Sequence, residues 1–169
     1  QAVNISSRRY NMKDNDISMR GEKDLFVSSE EDKVAEVMGS IKYCKGITSL
    51  CTIVGDKGKS KVEFYAGYSE EHLLSVDKTY VIIPSSLGEL INEEIPDSDK
   101  RIVLEKGAFG IAYCTIIGEY EVKDRSKNKG EPDTLYLSYA GFGNLINIGE
   151  EIDISFVDCL EIDADEQAD

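Results

Sequence analysis

The chain contains one histidine, His72, and this limits the chemistry that its side chains can perform. Metal sites built from several histidines are excluded, and a Ser-His-Asp or Cys-His catalytic device would depend on this single ring. His72 lies in the polar segment 69–75, whose leading serine and two glutamates predict a short capped helical turn at the surface. The sequence therefore favours a solvated histidine over a catalytic one.

Three short motifs are incomplete at the residue that carries their mechanism. Gly58-Lys59-Ser60 is similar to the end of a phosphate-binding loop, but the first glycine of that loop would fall at Ile53. Gly141-Phe142-Gly143 lacks the third glycine of a dinucleotide fingerprint. The loop that begins at Asp124 has Lys129 where a calcium loop requires glycine. We therefore predict no cofactor and no metal site.

Acidic residues are too abundant to indicate a particular catalytic pair. The chain has 33 of them, so almost any fold would bring two carboxylates together. A carboxylate-dependent enzyme is the least favoured function, and we assign no catalytic residue.

Aromatic rings offer a more specific alternative. Tyr65 and Tyr136 are expected on strand faces opposite the core, and Phe142 lies in a predicted turn. Exposed tyrosine rings can form a protein interface or a platform for a carbohydrate or another small ligand. They can equally be covered by a helix or by the N-terminal segment. Tyr65, Tyr136 and Phe142 are the candidate ligand-binding residues.

The net charge of −14 makes some partners unfavourable. An acidic surface repels phosphate backbones and anionic lipids, so we predict neither a nucleic-acid nor a membrane partner. Basic residues cluster at positions 57–61 and 123–129, which are predicted to be solvated loops. The chain also has no apolar run long enough to span a bilayer.

The chain has four cysteines: Cys44, Cys51, Cys114 and Cys159. Three of them lie in apolar, strand-like runs, where a cysteine behaves as a small hydrophobic residue. We therefore expect reduced thiols, and a reducing, cytoplasmic compartment is favoured over secretion. Cys44 and Cys51 are the expected pair if the compartment is oxidising.

Residues 101–118 form the most continuously apolar stretch and predict the centre of the fold. Strands are expected at 102–105 and 109–117, separated by Lys106-Gly107, and the strand should continue or bend at Gly118. A strand that is apolar on both faces must be covered on both faces.

The remaining pattern predicts a mainly β fold with one packed helix. A helix should begin near Ser28 and contact the sheet through the stripe Val34, Val37, Met38 and Ile41. A hairpin is expected between residues 47–54 and 61–68. Further strands are predicted at 80–83, 134–139, 144–148 and 151–162. About eight short strands indicate an antiparallel β-sandwich or barrel of the α+β class.

The domain organisation suggests where function lies. Residues 1–27 form a polar arm, 28–162 a single β-rich domain and 163–169 an acidic tail. We expect a non-enzymatic interaction or assembly module that docks its arm and β edges onto a protein partner or onto a copy of itself. The alternative is a small-ligand or carbohydrate-binding β-domain.

Overall fold

The computed structural model describes residues 18–21, 31–54, 60–91, 93–106, 109–122, 132–145 and 153–163. Within these ranges the strands are β1 Ser18–Gly21, β2 Tyr43–Gly46, β3 Ser49–Ile53, β4 Ser60–Phe64, β5 Tyr80–Pro84, β6 Arg101–Lys106, β7 Phe109–Val122, β8 Thr134–Leu137, β9 Asp153–Phe156 and β10 Cys159–Asp163. The helices are Glu31–Gly39, Ser85–Gly88 and Tyr139–Leu145, with 3-10 turns at Glu70–Leu74 and Asp97–Asp99.

These strands form one mixed sheet that curls into an open half-barrel. The strand order is β3-β10-β4-β7-β5-β8-β2-β9, with β6 beside β7 and β1 beside β6. Five neighbouring pairs are parallel and four are antiparallel. The prediction of a mainly β fold is confirmed, although the described residues contain three α-helices rather than the one packed helix that was expected. The prediction of a purely antiparallel arrangement is wrong. The sheet is open, and the predicted sandwich is not confirmed.

The central strand is β7, as the apolar stretch predicted. On one side it pairs with β5, and on the other it pairs first with β6 and then with β4. The strand continues through Gly118, which lies opposite Phe64 of β4. A Cβ atom at Gly118 would lie 2.8 Å from the backbone oxygen of Glu63, so this close approach requires glycine.

Two clusters of buried side chains cover the two faces of β7. Cys114 and Ile116 belong to a first cluster, which includes Val34 and Met38 of the first helix. Ile117 and Tyr120 belong to a second cluster, which is formed mainly by residues of other strands. The predicted burial on both faces is therefore confirmed. The predicted stripe is buried, with Val34, Met38 and Ile41 buried and Val37 half-buried, but the helix ends at Gly39 and Ile41 lies beyond it.

Two distant segments run side by side and bend together; we call them the bent ribbon. Its two segments are residues 43–53, which contain β2 and β3, and 153–163, which contain β9 and β10. β2 pairs with β9 at one end of the sheet, and β3 pairs with β10 at the other. In each segment only two residues separate the strand at one end of the sheet from the strand at the other end.

Hydrogen bonds hold the two bends together. Val157 N donates to Gly46 O and Thr48 N donates to Asp158 O, both at 2.9 Å. Asp158 has a φ of 63°, in the left-handed region that ordinary residues seldom adopt. The bent ribbon thus links the two ends of the sheet and is the reason that the sheet curls.

The bent ribbon also explains two errors of prediction. Residues 47–54 and 61–68 do not form a hairpin, because β10 lies between β3 and β4 and is parallel to both. Residues 151–162 do not form one strand, because the backbone turns at Asp158 between β9 and β10. Local alternation predicted the strands correctly but not their partners.

A third error concerns the segment predicted as a turn and a strand. Residues 139–145 are helical, and the rest of the predicted strand 144–148 lies outside the described residues. The buried Ser138 Oγ accepts hydrogen bonds from Gly141 N (3.4 Å) and Tyr80 N (3.0 Å). Ser138 therefore caps this helix and ties it to β5.

The cysteine prediction is corrected as well. Cys51 and Cys159 form a disulfide between β3 and β10, with their Cα atoms 5.6 Å apart. Cys44 is not paired with Cys51; like Cys114, it is a thiol buried in the first cluster. Burial raises the pKa of Cys44 to about 12 and also raises that of Cys114, which suppresses thiolate reactivity.

The arm and the tail are described only in small part. Ser18–Gly21, within the arm, pairs antiparallel with β6. The remainder of the arm, the proposed cap at Ser28, the basic segment 123–129 and residues 164–169 lie outside the described residues. Among the helices that the structure describes, none has the length and apolar character needed to cross a membrane.

Removal of the disulfide should destabilise the bent ribbon. The two cysteines are 108 residues apart, so their link restricts a long loop in the unfolded chain. We expect Cys51→Ala/Cys159→Ala to lose about 2–4 kcal/mol in the free energy of unfolding, measured with urea. A reductant should lower the wild-type stability similarly and leave the variant unchanged. A wild-type midpoint that is insensitive to reductant would contradict the link.

The close packing of β4 on β7 predicts a second effect on stability. Gly118→Ala places a methyl group against the backbone of Glu63 and Phe64, so we expect a loss of about 1–3 kcal/mol. Gly39→Ala is the matched control, because a Cβ atom there meets no atom within 4 Å. Urea unfolding of both variants tests the prediction, and equal stabilities would refute it.

Candidate functional site

A cluster of polar side chains lies where β4, β7 and the segment before β6 meet; we call it the Glu119 cluster. It consists of Tyr65, Asp97, Lys100 and Glu119. Tyr65 directly follows β4, and Glu119 lies on β7. Asp97 is the first residue of a 3-10 turn, and Lys100 directly follows that turn. Three non-adjacent segments therefore contribute to it, and only the tertiary fold brings them together.

Hydrogen bonds and charge contacts connect the cluster. Tyr65 Oη donates to Glu119 Oε2 at 2.7 Å. Lys100 Nζ lies 4.8 Å from the centre of the Tyr65 ring and 3.0 Å from Asp97 Oδ1. Asp97 Oδ2 accepts a hydrogen bond from Ala66 N at 3.3 Å. The cluster is thus a connected network around one tyrosine ring.

Gly88, in the short helix Ser85–Gly88, makes room for the carboxylate. A Cβ atom at position 88 would overlap the carboxylate of Glu119. The absence of a side chain there lets Glu119 lie against the helix backbone while it accepts the Tyr65 hydrogen bond. Glu119 is half-buried in this position.

Burial shifts the acidity of both hydrogen-bonded partners. Desolvation is the largest cause that raises the pKa of Glu119, the nearby Glu63 and Glu89 add to it, and the Tyr65 hydrogen bond and Lys100 oppose it. Desolvation also raises the pKa of Tyr65, with the negative charge of Glu119 as a further cause. A carboxyl group with a raised pKa beside a phenol can exchange protons, which is the property of a general acid or base.

Structural networks also shift pKa values, and this one has a clear structural role. Tyr65 packs against the first cluster of buried side chains, and its hydroxyl needs a partner there. The described residues contain no group of three or more His, Cys, Asp or Glu side chains placed to hold a metal ion. The hydrogen bond to Glu119 gives the Tyr65 hydroxyl a partner where its ring packs against the interior.

The three predicted ligand-binding rings occupy different surroundings. Tyr65 packs against the first cluster, whereas Tyr136 packs against the second and contacts the Tyr120 ring edge-on at 5.1 Å. Phe142 lies over Gly46 and 5.5 Å from the Phe156 ring. Tyr65 and Tyr136 therefore do not face a common surface.

Tyr136 lines a cavity within the described part of the chain. That cavity, of about 260 Å³, is lined by Lys45, Ser60, Tyr136, Val157, Cys159, Leu160 and Glu161. It lies beside the bend of the ribbon and carries one basic and one acidic side chain. Ligand binding stays a prediction. Because Tyr65 and Tyr136 pack against different clusters, a ligand would contact one of these two rings and not both.

The single histidine has a structural role. His72 Nδ1 lies 3.1 Å from Ser69 N, whose amide donates to it at the start of the 3-10 turn. Its ring also contacts the Tyr68 and Tyr80 rings edge-on, at 5.0 and 5.3 Å. The predicted capped turn is confirmed, but His72 is half-buried rather than fully solvated.

Sequence reasoning missed Glu119. Its one signal was a charged residue immediately after the apolar run, at the point where the strand continues past Gly118. The partners of Glu119 come from residues 19 to 54 positions away, so no local spacing identified them. Comparison with protein-family models, with curated proteins and with solved structures found no match for this chain.

The raised pKa of Glu119 predicts a pH-dependent effect of its substitution. A carboxyl whose folded-state pKa lies above its ordinary value of 4.5 contributes stability at low pH and loses it as the pH rises. Glutamine cannot ionise but retains an acceptor for Tyr65. We therefore expect the stability of Glu119→Gln, relative to wild type, to increase from below pH 4.5 to neutral pH.

Urea unfolding over this pH range measures the difference. Glu121→Gln is the control, because Glu121 is exposed on the same strand. The quantity compared is the free energy of unfolding of Glu119→Gln minus that of wild type. If this difference stays constant or falls as the pH rises, ionisation of Glu119 does not destabilise the folded chain.

Proposed function

We propose that this chain is a non-enzymatic interaction or assembly module, which docks through its N-terminal arm and its β edges onto another protein or a second copy of itself. The observation that carries the proposal is the pairing of β1 with β6. Ser18, Met19, Arg20 and Gly21 of the arm pair with Glu105, Leu104, Val103 and Ile102 of the domain. This is strand addition at a sheet edge.

The same pairing can form between two molecules. Nine residues, 22–30, separate β1 from the first helix, and an extended chain of that length spans about 30 Å. An arm that leaves its own β6 can thus reach the β6 of a neighbouring copy without any new contact surface. Exchange of the arm is the mode of assembly that requires least change in the fold.

Charge permits the arm to dock on an acidic domain. Residues 1–27 carry five basic and four acidic side chains, so the arm is nearly neutral while the whole chain has a charge of −14. An acidic domain therefore does not repel the arm electrostatically.

Exposed apolar side chains lie near another edge. β9 pairs with β2 on one side and is the last strand of the sheet path. Phe156 at its end and the adjacent Val157 are 37 % and 38 % exposed, and Tyr139 of the neighbouring helix is 54 % exposed. Apolar groups beside an edge strand are a feature of protein-binding surfaces.

Light scattering tests the proposal. We expect the full chain to have a mass that is a multiple of 18.8 kDa and a chain lacking residues 1–27 to be monomeric. Met19→Pro/Arg20→Pro should act like the deletion. Successive amides point to opposite sides of a strand, so one of the two prolines removes an amide that faces β6.

Met19→Ala/Arg20→Ala is the matched control and should remain assembled, because alanine keeps both amides. The proposal fails if the full chain is a compact monomer and loses no protein partner when residues 1–27 are deleted. It also fails if the deletion leaves an oligomer intact.

A further inference from the structure

A second edge of the sheet lies at β3. β3 is the first strand of the sheet path, and β10 is its one partner among the described strands. Leu50 N donates a hydrogen bond to Glu70 Oε2 at 2.9 Å. Since backbone groups alternate in direction along a strand, the amides of Leu50 and Thr52 both point away from β10. Glu70 thus supplies an oxygen where the carbonyl of a further strand would lie.

Glu70 covers only the first part of this edge. The Thr52 side chain is exposed, and Val54, immediately after the strand, is 76 % exposed. An isolated charged side chain at an edge limits where another strand can pair. Among the described residues, it leaves the edge uncovered from Thr52 onward and sets the position at which an added strand would end.

A groove of about 570 Å³ lies beside this edge, between β3 and the 3-10 turn Glu70–Leu74. It is lined by Thr48, Ser49, Ser69, Glu70, Glu71 and Leu74. The charged side chains of this lining are both acidic, and Leu74 is 60 % exposed. The groove thus combines negative charge with an accessible apolar side chain.

We infer that the β3 edge and this groove bind an extended, basic segment of another protein by strand addition. The backbone of the segment pairs with Thr52, a lysine or arginine lies against Glu70 and Glu71, and an apolar side chain contacts Leu74 or Val54. Charge complementarity selects this partner, because the groove carboxylates belong to a chain with a net charge of −14.

This inference extends the proposal of edge docking but uses a different edge from the arm. Arm exchange involves β1 and β6, whereas the basic segment pairs with β3. A chain that is monomeric can still bind the segment, and an assembled chain can fail to bind it. The two experiments therefore fail separately.

The probe is a fluorescein-labelled peptide of alternating lysine and valine, and binding to the full chain is followed by fluorescence anisotropy at low salt. A peptide of alternating glutamate and valine is the control for sequence-independent strand pairing. We expect the basic peptide to bind and the acidic peptide not to bind. Equal binding of both peptides, or binding of neither, would overturn the inference.

Two glutamine variants distinguish the groove from general attraction to an acidic protein. Glu70→Gln/Glu71→Gln should weaken binding about fivefold, because two exposed charge pairs are lost. The variant retains an acceptor for Leu50 N, so the edge of β3 is kept. Glu36→Gln/Glu93→Gln removes the same charge from exposed positions outside the groove and should have less than half of that effect. Equal weakening by both pairs would show that net charge alone attracts the peptide.

The Thr52 amide tests strand addition itself. Thr52→Pro removes the amide that points away from β10 and should weaken binding about tenfold, whereas Thr52→Ala keeps it and should bind as wild type does. Circular dichroism verifies that the proline variant is folded. Unchanged affinity of a folded Thr52→Pro chain would overturn the inference, and the glutamine variants decide the matter if this chain does not fold.

Discussion

The parallel pairing of two segments about a hundred residues apart is the constraint on which this fold depends. Residues 43–53 and 153–163 meet as β2 with β9 and as β3 with β10, and both change direction within two residues. Backbone hydrogen bonds join the two bends, and a disulfide joins β3 to β10. Because hydrogen bonds join the two bends, the two segments bend together and link the ends of the sheet. Pairing at such sequence separation carries a large entropic cost, which the burial of both clusters must offset.

This constraint also decides which strand edges remain available. β10 occupies the position beside β4 that a hairpin partner would have taken, so β3 is moved to the outside of the sheet. β9 is likewise left at the other end. Edge strands invite further pairing, and proteins usually protect them with charge or with another element. Here Glu70 covers part of β3 and the arm covers β6, which are the two edges that the proposed interactions use.

The half-buried carboxylate of Glu119 also depends on segments that only the fold brings together. Glu119 would be costly in a sheet covered on both faces, yet Gly88 gives it space and Tyr65 gives it a hydrogen bond. The result is a polar network that joins three segments and in which burial raises the pKa of Glu119 and of Tyr65. The buried thiols of Cys44 and Cys114 are, by contrast, apolar contacts in the first cluster.

The sequence by itself determined the elements whose signal is local. The apolar run predicted β7 and its burial, the periodic stripe predicted the first helix, and alternation predicted most strands, because side-chain direction depends only on secondary structure. Tertiary structure alone decided the partners of those strands, the disulfide between Cys51 and Cys159, and the Glu119 cluster. The helix Tyr139–Leu145 also needed a tertiary contact, since the Ser138 hydroxyl that caps it binds β5 as well. Each of these depends on atoms from segments distant in sequence, and no periodicity within one segment records which distant segment will lie beside it.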